Sequence, residues 1–309
     1  MKEIKNITMY GFGAVGALYG INMWKALGSS FQIVAEGDRK KRYEKEGFIV
    51  NGEKITVPVV CPENLTPADF LIIATKNLQI EQAIKQVKKA VGPDTIILSL
   101  LNGTDSEERL IEEYGAEKVL YGFCVGMSSI HTANHIDFST PGSIVFGEAD
   151  NRRSEQVRAV EKIFETCGIH YKVPSDIRHD QWNKFMLNTA FNTLSSITRG
   201  GYGVFAQESM KALSFGVSKE VQAVAAKEGI VLTDSDIQNN YDMMLSLDPN
   251  GLTSMCQDMI AGRKTENNWF CGTVVRLGKK HHIETPLCDT LFKIVQGCEK
   301  ANEMKQALV

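Results

Sequence analysis

Three polar side chains recur every four residues in the stretch Gln181-Trp-Asn-Lys184-Phe-Met-Leu-Asn188-Thr-Ala-Phe-Asn192. That spacing puts Lys184, Asn188 and Asn192 on one face of a helix whose other residues, Phe185, Met186, Leu187, Ala190 and Phe191, are largely apolar. Two amides can bind a small polar substrate without adding charge, and a lysine beside them can supply a proton. A polar stripe on an apolar helix is also what a wet side looks like. Surface stripes elsewhere in the chain, however, are rich in Glu and Lys rather than amides. A second group lies in Ser254-Met-Cys-Gln-Asp258-Met-Ile-Ala-Gly-Arg263-Lys-Thr-Glu266. Ser254 and Asp258 share a helix face by their spacing. Glu266 stands where a further helix would begin, a place where the helix dipole favours a carboxylate with or without chemistry.

A third constellation opens the chain. Gly11-Phe12-Gly13-Ala14-Val15-Gly16 follows an apolar run and leads into a helical pattern. In a dinucleotide-binding turn the first glycine permits the tight bend, the second lets backbone approach a pyrophosphate, and the third allows close helix–strand packing. The amides at the helix start then face the phosphates. A G-x-G-x-x-G alone is weak evidence; here the next strand ends at Glu36, about where a ribose-binding carboxylate belongs. Arg39 and Lys40 follow and would pair with a 2'-phosphate instead. Lys76 and Asn102 each stand just beyond a predicted parallel strand, where open α/β sheets bind ligands. Asn102-Gly103 is also an ordinary turn pair.

The elements that must carry these residues alternate in the first half. Strands are expected at Ile7–Tyr10, Phe31–Ala35, Phe70–Ala74 and Thr95–Leu100, with helices at Ala14–Leu27, Lys40–Glu46 and about Gln79–Ala90. Continuous apolar strands between helices imply a parallel sheet covered on both faces. Phe48 to Val60 alternates about Asn51-Gly52, a hairpin signal, and Val119 to Glu148 is glycine-rich and β-like. A helix over Ser154–Cys167 and a strand at His170–Val173 close this half. Beyond Pro174 only helices are expected: Asp180–Ile197, Ala206–Glu228, Gln238–Leu245, Thr253–Ala261 and Asn267–Lys280. The expected domains are 1–176, Rossmann-type and dinucleotide-binding, and 177–309, all-helical.

Bulk properties narrow the function classes. The 309 residues exceed what one hydrophobic core usually fills, and 43% hydrophobic with 23% charged residues is ordinary globular composition. A net charge of -3 gives no reason to expect nucleic acid, and the basic clusters Arg39–Arg42 and Lys85–Lys89 read as solvated helix faces. Seven scattered cysteines without a C-x-x-C pair read as reduced, cytoplasmic thiols. His131 and His135 are four apart, but no third ligand is evident, so no metal site is expected. The uncharged run Ile7–Trp24 is interrupted by four glycines, and a buried strand, turn and helix explain it better than a membrane span or signal peptide. The C-terminal helices suit a homodimer interface as well as a core.

Together, Gly11–Gly16, Lys76 with Gln79, Asn102-Gly103, the W-N-K-F-x-x-N-x-x-x-N helix and S-M-x-x-D-x-x-x-G-R-x-T-E resemble the ketopantoate reductase family. Gly272, Leu277-Gly278 and Thr285-Pro286 fit its closing helices, so the resemblance spans nearly the whole chain. It implies a Rossmann-type domain followed by a helical domain of the 6-phosphogluconate dehydrogenase-like C-terminal type. It further implies a cytoplasmic enzyme of pantothenate and coenzyme A biosynthesis that reduces 2-dehydropantoate to (R)-pantoate with NADPH. By this resemblance Lys184 donates the proton to the developing alkoxide and Glu266, also beside the cofactor, accepts from the substrate hydroxyl. Asn188 and Asn192 orient the substrate, Ser254 binds its carboxylate, Asn102 sits by the nicotinamide and Lys76 by the cofactor ribose and phosphate. The chain departs from the family in having Glu36-Gly37-Asp38 before its first arginine, Arg39, so NAD(H) stands as the alternative to NADP(H). Two rival readings are a related reductase of another 2-oxo acid and a non-catalytic dinucleotide sensor.

Overall fold

Two compact units make up the chain, Met1–Ile177 and Arg178–Val309. The computed structural model describes residues 3–132 and 134–307, with backbone alone for 128–132. The side chain of His131, half of the histidine pair noted above, therefore lies outside the described residues.

The first unit runs β1 (Ile7–Tyr10), α1 (Ala14–Leu27), β2 (Phe31–Val34), α2 (Gly37–Glu46), β3 (Phe48–Val50), β4 (Glu53–Ile55) and β5 (Val59–Val60). It continues through β6 (Phe70–Ile73), α3 (Ile80–Gln86), β7 (Ile96–Ser99), α4 (Ser106–Tyr114), β8 (Val119–Thr132), β9 (His135–Gly147), α5 (Glu155–Thr166) and β10 (Tyr171–Lys172). The sheet order is β4-β3-β9-β8-β7-β6-β1-β2-β5, with β10 on β9. From β5 to β8 all neighbours are parallel. Strands β1, β6 and β7 are buried at every residue. The reason is that successive side chains feed opposite faces. Phe70 and Ile72 enter the core shared with α1 and α5, while Leu71 and Ile73 enter the one shared with α3.

The hairpin about Asn51-Gly52 forms, with Phe48 opposite Ile55. Both turn residues have positive φ, 47° and 81°, as a primed turn requires. Its second arm is shorter than the alternation implied, because Val59 and Val60 leave it to pair parallel with β2. The β-like stretch after 119 is a long antiparallel pair, β8 with β9, with a register shift at Ser128/Ser129. Helix α4 went unassigned from the sequence; its Glu-rich surface hides a stripe of only three buried residues.

In the second unit α6 (Ile177–Leu187) passes through a π-helical turn, Asn188–Asn192, into α7 (Thr193–Thr198). There follow α8 (Glu208–Lys227), α9 (Asp234–Ser246), α10 (Ser254–Ile260), α11 (Cys271–His281) and α12 (Pro286–Gln306). No strand occurs here among the described residues. Helix α9 starts four residues earlier than the apolar pattern implied, because Thr233 and Asp236 form a capping box. Helix α12 begins at Pro286, and the Glu220 carboxylate accepts the amides of Leu287 at 2.7 Å and Cys288 at 2.8 Å. Phe185, Phe191, Phe205 and Phe270 are fully buried and anchor the core. Among the described residues no helix is long and apolar enough to cross a membrane.

Candidate active site

In the first unit the glycine turn has the form a phosphate cradle needs. Gly11 has φ +93°, and a Cβ there would sit 2.5 Å from the Ala74 carbonyl oxygen. A Cβ on Gly16 would land on the carbonyl oxygen of Gly11, well inside van der Waals contact. At Gly13 the opposite holds, since a Cβ would meet nothing within 4 Å. The first and third glycines thus let protein pack on protein, and the second leaves open space over the start of α1. Gly13 is the N-cap of that helix, with no side-chain cap and no acidic residue in the first turn. The amides of Ala14, Val15 and Gly16 have no carbonyl ahead of them within the helix. These residues fit a dinucleotide pyrophosphate: uncapped donors, positive dipole end and room for the group. Phe12 is turned inward, 4% exposed, with its ring 4.6 Å from that of Phe48.

The two strand-end residues are joined by one not foreseen from the sequence. Asn77, buried directly after the exposed Lys76, donates from Nδ2 to the Asn102 carbonyl oxygen at 2.7 Å. This ties the β6 and β7 loops together, so that Lys76 and Asn102 occupy the same end of the sheet. Thr75 donates to Gln79 Oε1 and closes the turn between them. Asn102 is half-buried and Gly103 takes φ +94°. An amide directly after a lysine at a strand end was the available signal for Asn77.

In the second unit the helix of Lys184 is not uniform. Lys184 and Asn188 lie one turn apart, but from Asn188 to Asn192 the backbone widens to a π turn. Such turns are rare and cluster at functional positions. Asn188 and Asn192 are each only 6% exposed and Lys184 is half-buried, so the stripe is not a wet helix side. Thr189 Oγ1 donates back to the Phe185 carbonyl oxygen at 2.8 Å within this distorted segment. The expectation that one regular helical face presents all three side chains is thereby corrected. The wider turn shifts the angular offset of Asn192 from that of an ideal helix.

Two further segments are fastened to the end of the π turn. Ser195 Oγ lies 2.5 Å from Thr253 Oγ1, and Thr253 caps α10 by accepting the Cys256 amide. Ser254, the exposed first residue of α10, follows this anchor. Thr193 Oγ1 lies 3.5 Å from Cys271 Sγ, at the start of α11. Glu266 precedes α11 by a single 3-10 turn, Asn267–Trp269, rather than starting the α-helix itself. Its carboxylate is nearly buried, 7% exposed.

Asp258 has a structural duty. Arg263 Nε donates to its Oδ1 at 2.8 Å and the Arg263 amide to its carbonyl at 2.9 Å, across Gly262 at φ +67°. The next residues are held from α12: the backbone amide of Thr265 donates to Glu299 Oε1 at 2.9 Å and its hydroxyl to the same oxygen at 2.6 Å. Asn267 Nδ2 reaches the Phe292 carbonyl at 2.9 Å. Glu266 therefore sits between two anchored neighbours. Glu299 had no local signal, because it lies 34 residues beyond Thr265 on another helix.

The ketopantoate reductase PanE/ApbA family model matches residues 7–151, and the model of its C-terminal domain matches residues 176–299. The chain belongs to the ketopantoate reductase family. As a member of that family it is an NAD(P)-dependent oxidoreductase. It is 26% identical over 299 residues to the 2-dehydropantoate 2-reductase of Archaeoglobus fulgidus, covering 96% of this chain and 99% of that one. It is 25% identical over 296 residues to the uncharacterised oxidoreductase YkpB of Bacillus subtilis, covering 94% and 97%. The ternary structure of D-mandelate dehydrogenase with NADH and anilino(oxo)acetate shares the fold, with a TM-score of 0.87 at 21% identity over 96% of this chain and 99% of that one.

Proposed function

We propose that this chain reduces the ketone of a 2-oxo acid to the 2-hydroxy acid, with 2-dehydropantoate as substrate and (R)-pantoate as product, in the cytoplasm. The carrying observation is the π turn that buries Asn188 and Asn192 one and two turns beyond a half-buried Lys184. Buried amides on a widened turn are costly unless they bind something. A bound nicotinamide dinucleotide supplies the hydride. Gly11 to Gly16 hold its pyrophosphate at the start of α1, with Phe12 shaping the turn from inside, and Lys76 and Asn102 meet its ribose and nicotinamide. Lys184 donates a proton to the ketone oxygen and stabilises the negative charge growing there. Glu266 accepts from the substrate hydroxyl, Asn188 and Asn192 orient the substrate, and Ser254 binds its carboxylate. The reaction is a step toward pantothenate and coenzyme A.

The same geometry serves a related 2-oxo acid, and the fold shared with D-mandelate dehydrogenase keeps that second reading. The test follows loss of reduced-cofactor absorbance with 2-dehydropantoate and a panel of other 2-oxo acids. Turnover of 2-dehydropantoate that falls by about 10²–10⁴ in Lys184→Ala, with cofactor binding kept, is the expected result. Activity only on another 2-oxo acid discards the substrate. Tight cofactor binding with no turnover makes the chain a sensor.

A further inference from the structure

At the C-terminal ends of β1 and β2, within the first unit, a hollow of about 250 Å³ is lined by Tyr10, Ala35, Glu36, Arg39, Gln82 and Gln86. Tyr10 directly precedes Gly11, so the hollow adjoins the phosphate cradle. A dinucleotide bound at this end of an open sheet lays its adenosine ribose beside the second strand.

Glu36 is not a loose surface carboxylate there. Gln86, the last residue of α3, donates from Nε2 to Glu36 Oε1. Its own Oε1 accepts from the Tyr10 hydroxyl at 2.8 Å. An amide has one acceptor end and one donor end. With Tyr10 on the oxygen, the nitrogen must face Glu36. Tyr10 is 3% exposed, and burial pushes its phenol up, with Glu36 adding and Arg39 opposing. It therefore stays protonated and keeps donating at neutral pH. Of the basic residues that suggested a 2'-phosphate, Arg39 lines the hollow and Lys40 does not. Lys40 is paired with Glu44 at 2.7 Å along α2. Arg39 is exposed and forms no ion pair among the described residues.

We infer that the Tyr10–Gln86–Glu36 chain makes this an NAD(H) site, with Glu36 accepting from the adenosine ribose hydroxyls. A 2'-phosphate there would place a second negative group against a carboxylate that is already tethered. To admit it, Glu36 would have to leave Gln86, which would then lose its acceptor. The inference rests on the proposal that the first unit binds a dinucleotide, and it replaces the NADP(H) expected from the resemblance.

The test is equilibrium binding to the full chain, read by the fluorescence of reduced nicotinamide, with NADH and NADPH titrated separately. In parallel, 5'-AMP and adenosine 2',5'-bisphosphate compete with bound NADH, which probes the adenosine end alone. NADH should bind at least about tenfold more tightly than NADPH, and 5'-AMP should compete better than the bisphosphate. Glu36→Gln should bring the two reduced cofactors to within about threefold, and Gln86→Leu should narrow the gap in the same direction by less. NADPH binding as tightly as NADH, or a preference untouched by Glu36→Gln, overturns the inference and leaves the dinucleotide site standing. Binding of neither cofactor overturns both. The competition arm needs no variant and decides the matter even if a substituted chain fails to fold.

Discussion

The phosphate cradle proposed for the first unit is made of backbone, whereas the polar face of the second is made of side chains. In the cradle, three glycines differ only in what a Cβ would strike: carbonyl groups at Gly11 and Gly16, and open space at Gly13. In the second unit, the segments that carry Asn192, Ser254 and Glu266 are fastened by neighbouring side chains, among them Thr193, Thr253, Thr265 and Glu299. Backbone geometry is local, and at Gly11 and Gly16 it tolerates no added atoms. Side-chain geometry is assembled from several helices and should fail by degrees.

The sharpest break in that comparison is Gly16→Ala, whose methyl group would collide with backbone. It should cost on the order of 1–3 kcal/mol of stability and abolish dinucleotide binding, seen in thermal melting and titration together. Glu299→Ala comes next. It removes the acceptor of both the amide and the hydroxyl of Thr265, itself 3% exposed, and should cost about 1–3 kcal/mol. Because Glu266 is the next residue, kcat should fall further than KM changes, while Glu299→Gln, which keeps an acceptor, recovers most of the loss. If both variants lose stability and kcat is unmoved, the positioning role is wrong. Gly13→Ala should do the reverse of Gly16→Ala: melting unchanged, but cofactor affinity lower on the order of tenfold. Equal behaviour of the two alanines would remove the distinction between packing glycine and ligand glycine.

The smallest effect concerns pH. Burial opposes ionisation of Asp236, but the Thr233 hydroxyl and amide and the nearby His179 outweigh it and hold its carboxyl below the usual range. A group depressed in the folded state stabilises above its unfolded value, about 3.9, and that contribution is lost as pH falls through the lower folded value. The difference in melting temperature between the parent and Asp236→Asn should therefore be largest near neutral pH and close below about pH 4. A difference that grows in acid would reverse the sign and refute the cause.

Much of the cradle was legible because its signals are local. Gly11, Gly13 and Gly16 follow a strand and open a helix, and the Asn51-Gly52 hairpin and the buried strands β1, β6 and β7 read directly from residue types. The second unit read well as a set of helices and less well in detail. The spacing of Lys184, Asn188 and Asn192 implied a regular helix, and no residue in that run announces a π turn. Asp258 read as sharing a helix face with Ser254, and nothing local showed that it holds Arg263. Gln86 drew no attention as part of an amphipathic helix, although it orients Glu36.

What the sequence determined by itself, then, is whatever depends on neighbours in the chain: the alternation of apolar strands and helices, the glycine turn, the helical second half and the motifs of the family. Tertiary structure alone decided which residues hold the chemical groups in place. Asn77 to Asn102, Gln86 to Glu36 and Glu299 to Thr265 are 25, 50 and 34 residues apart. A hydrogen bond is satisfied by a distance of about 3 Å in space and is indifferent to separation along the chain, so no local pattern encodes its partner.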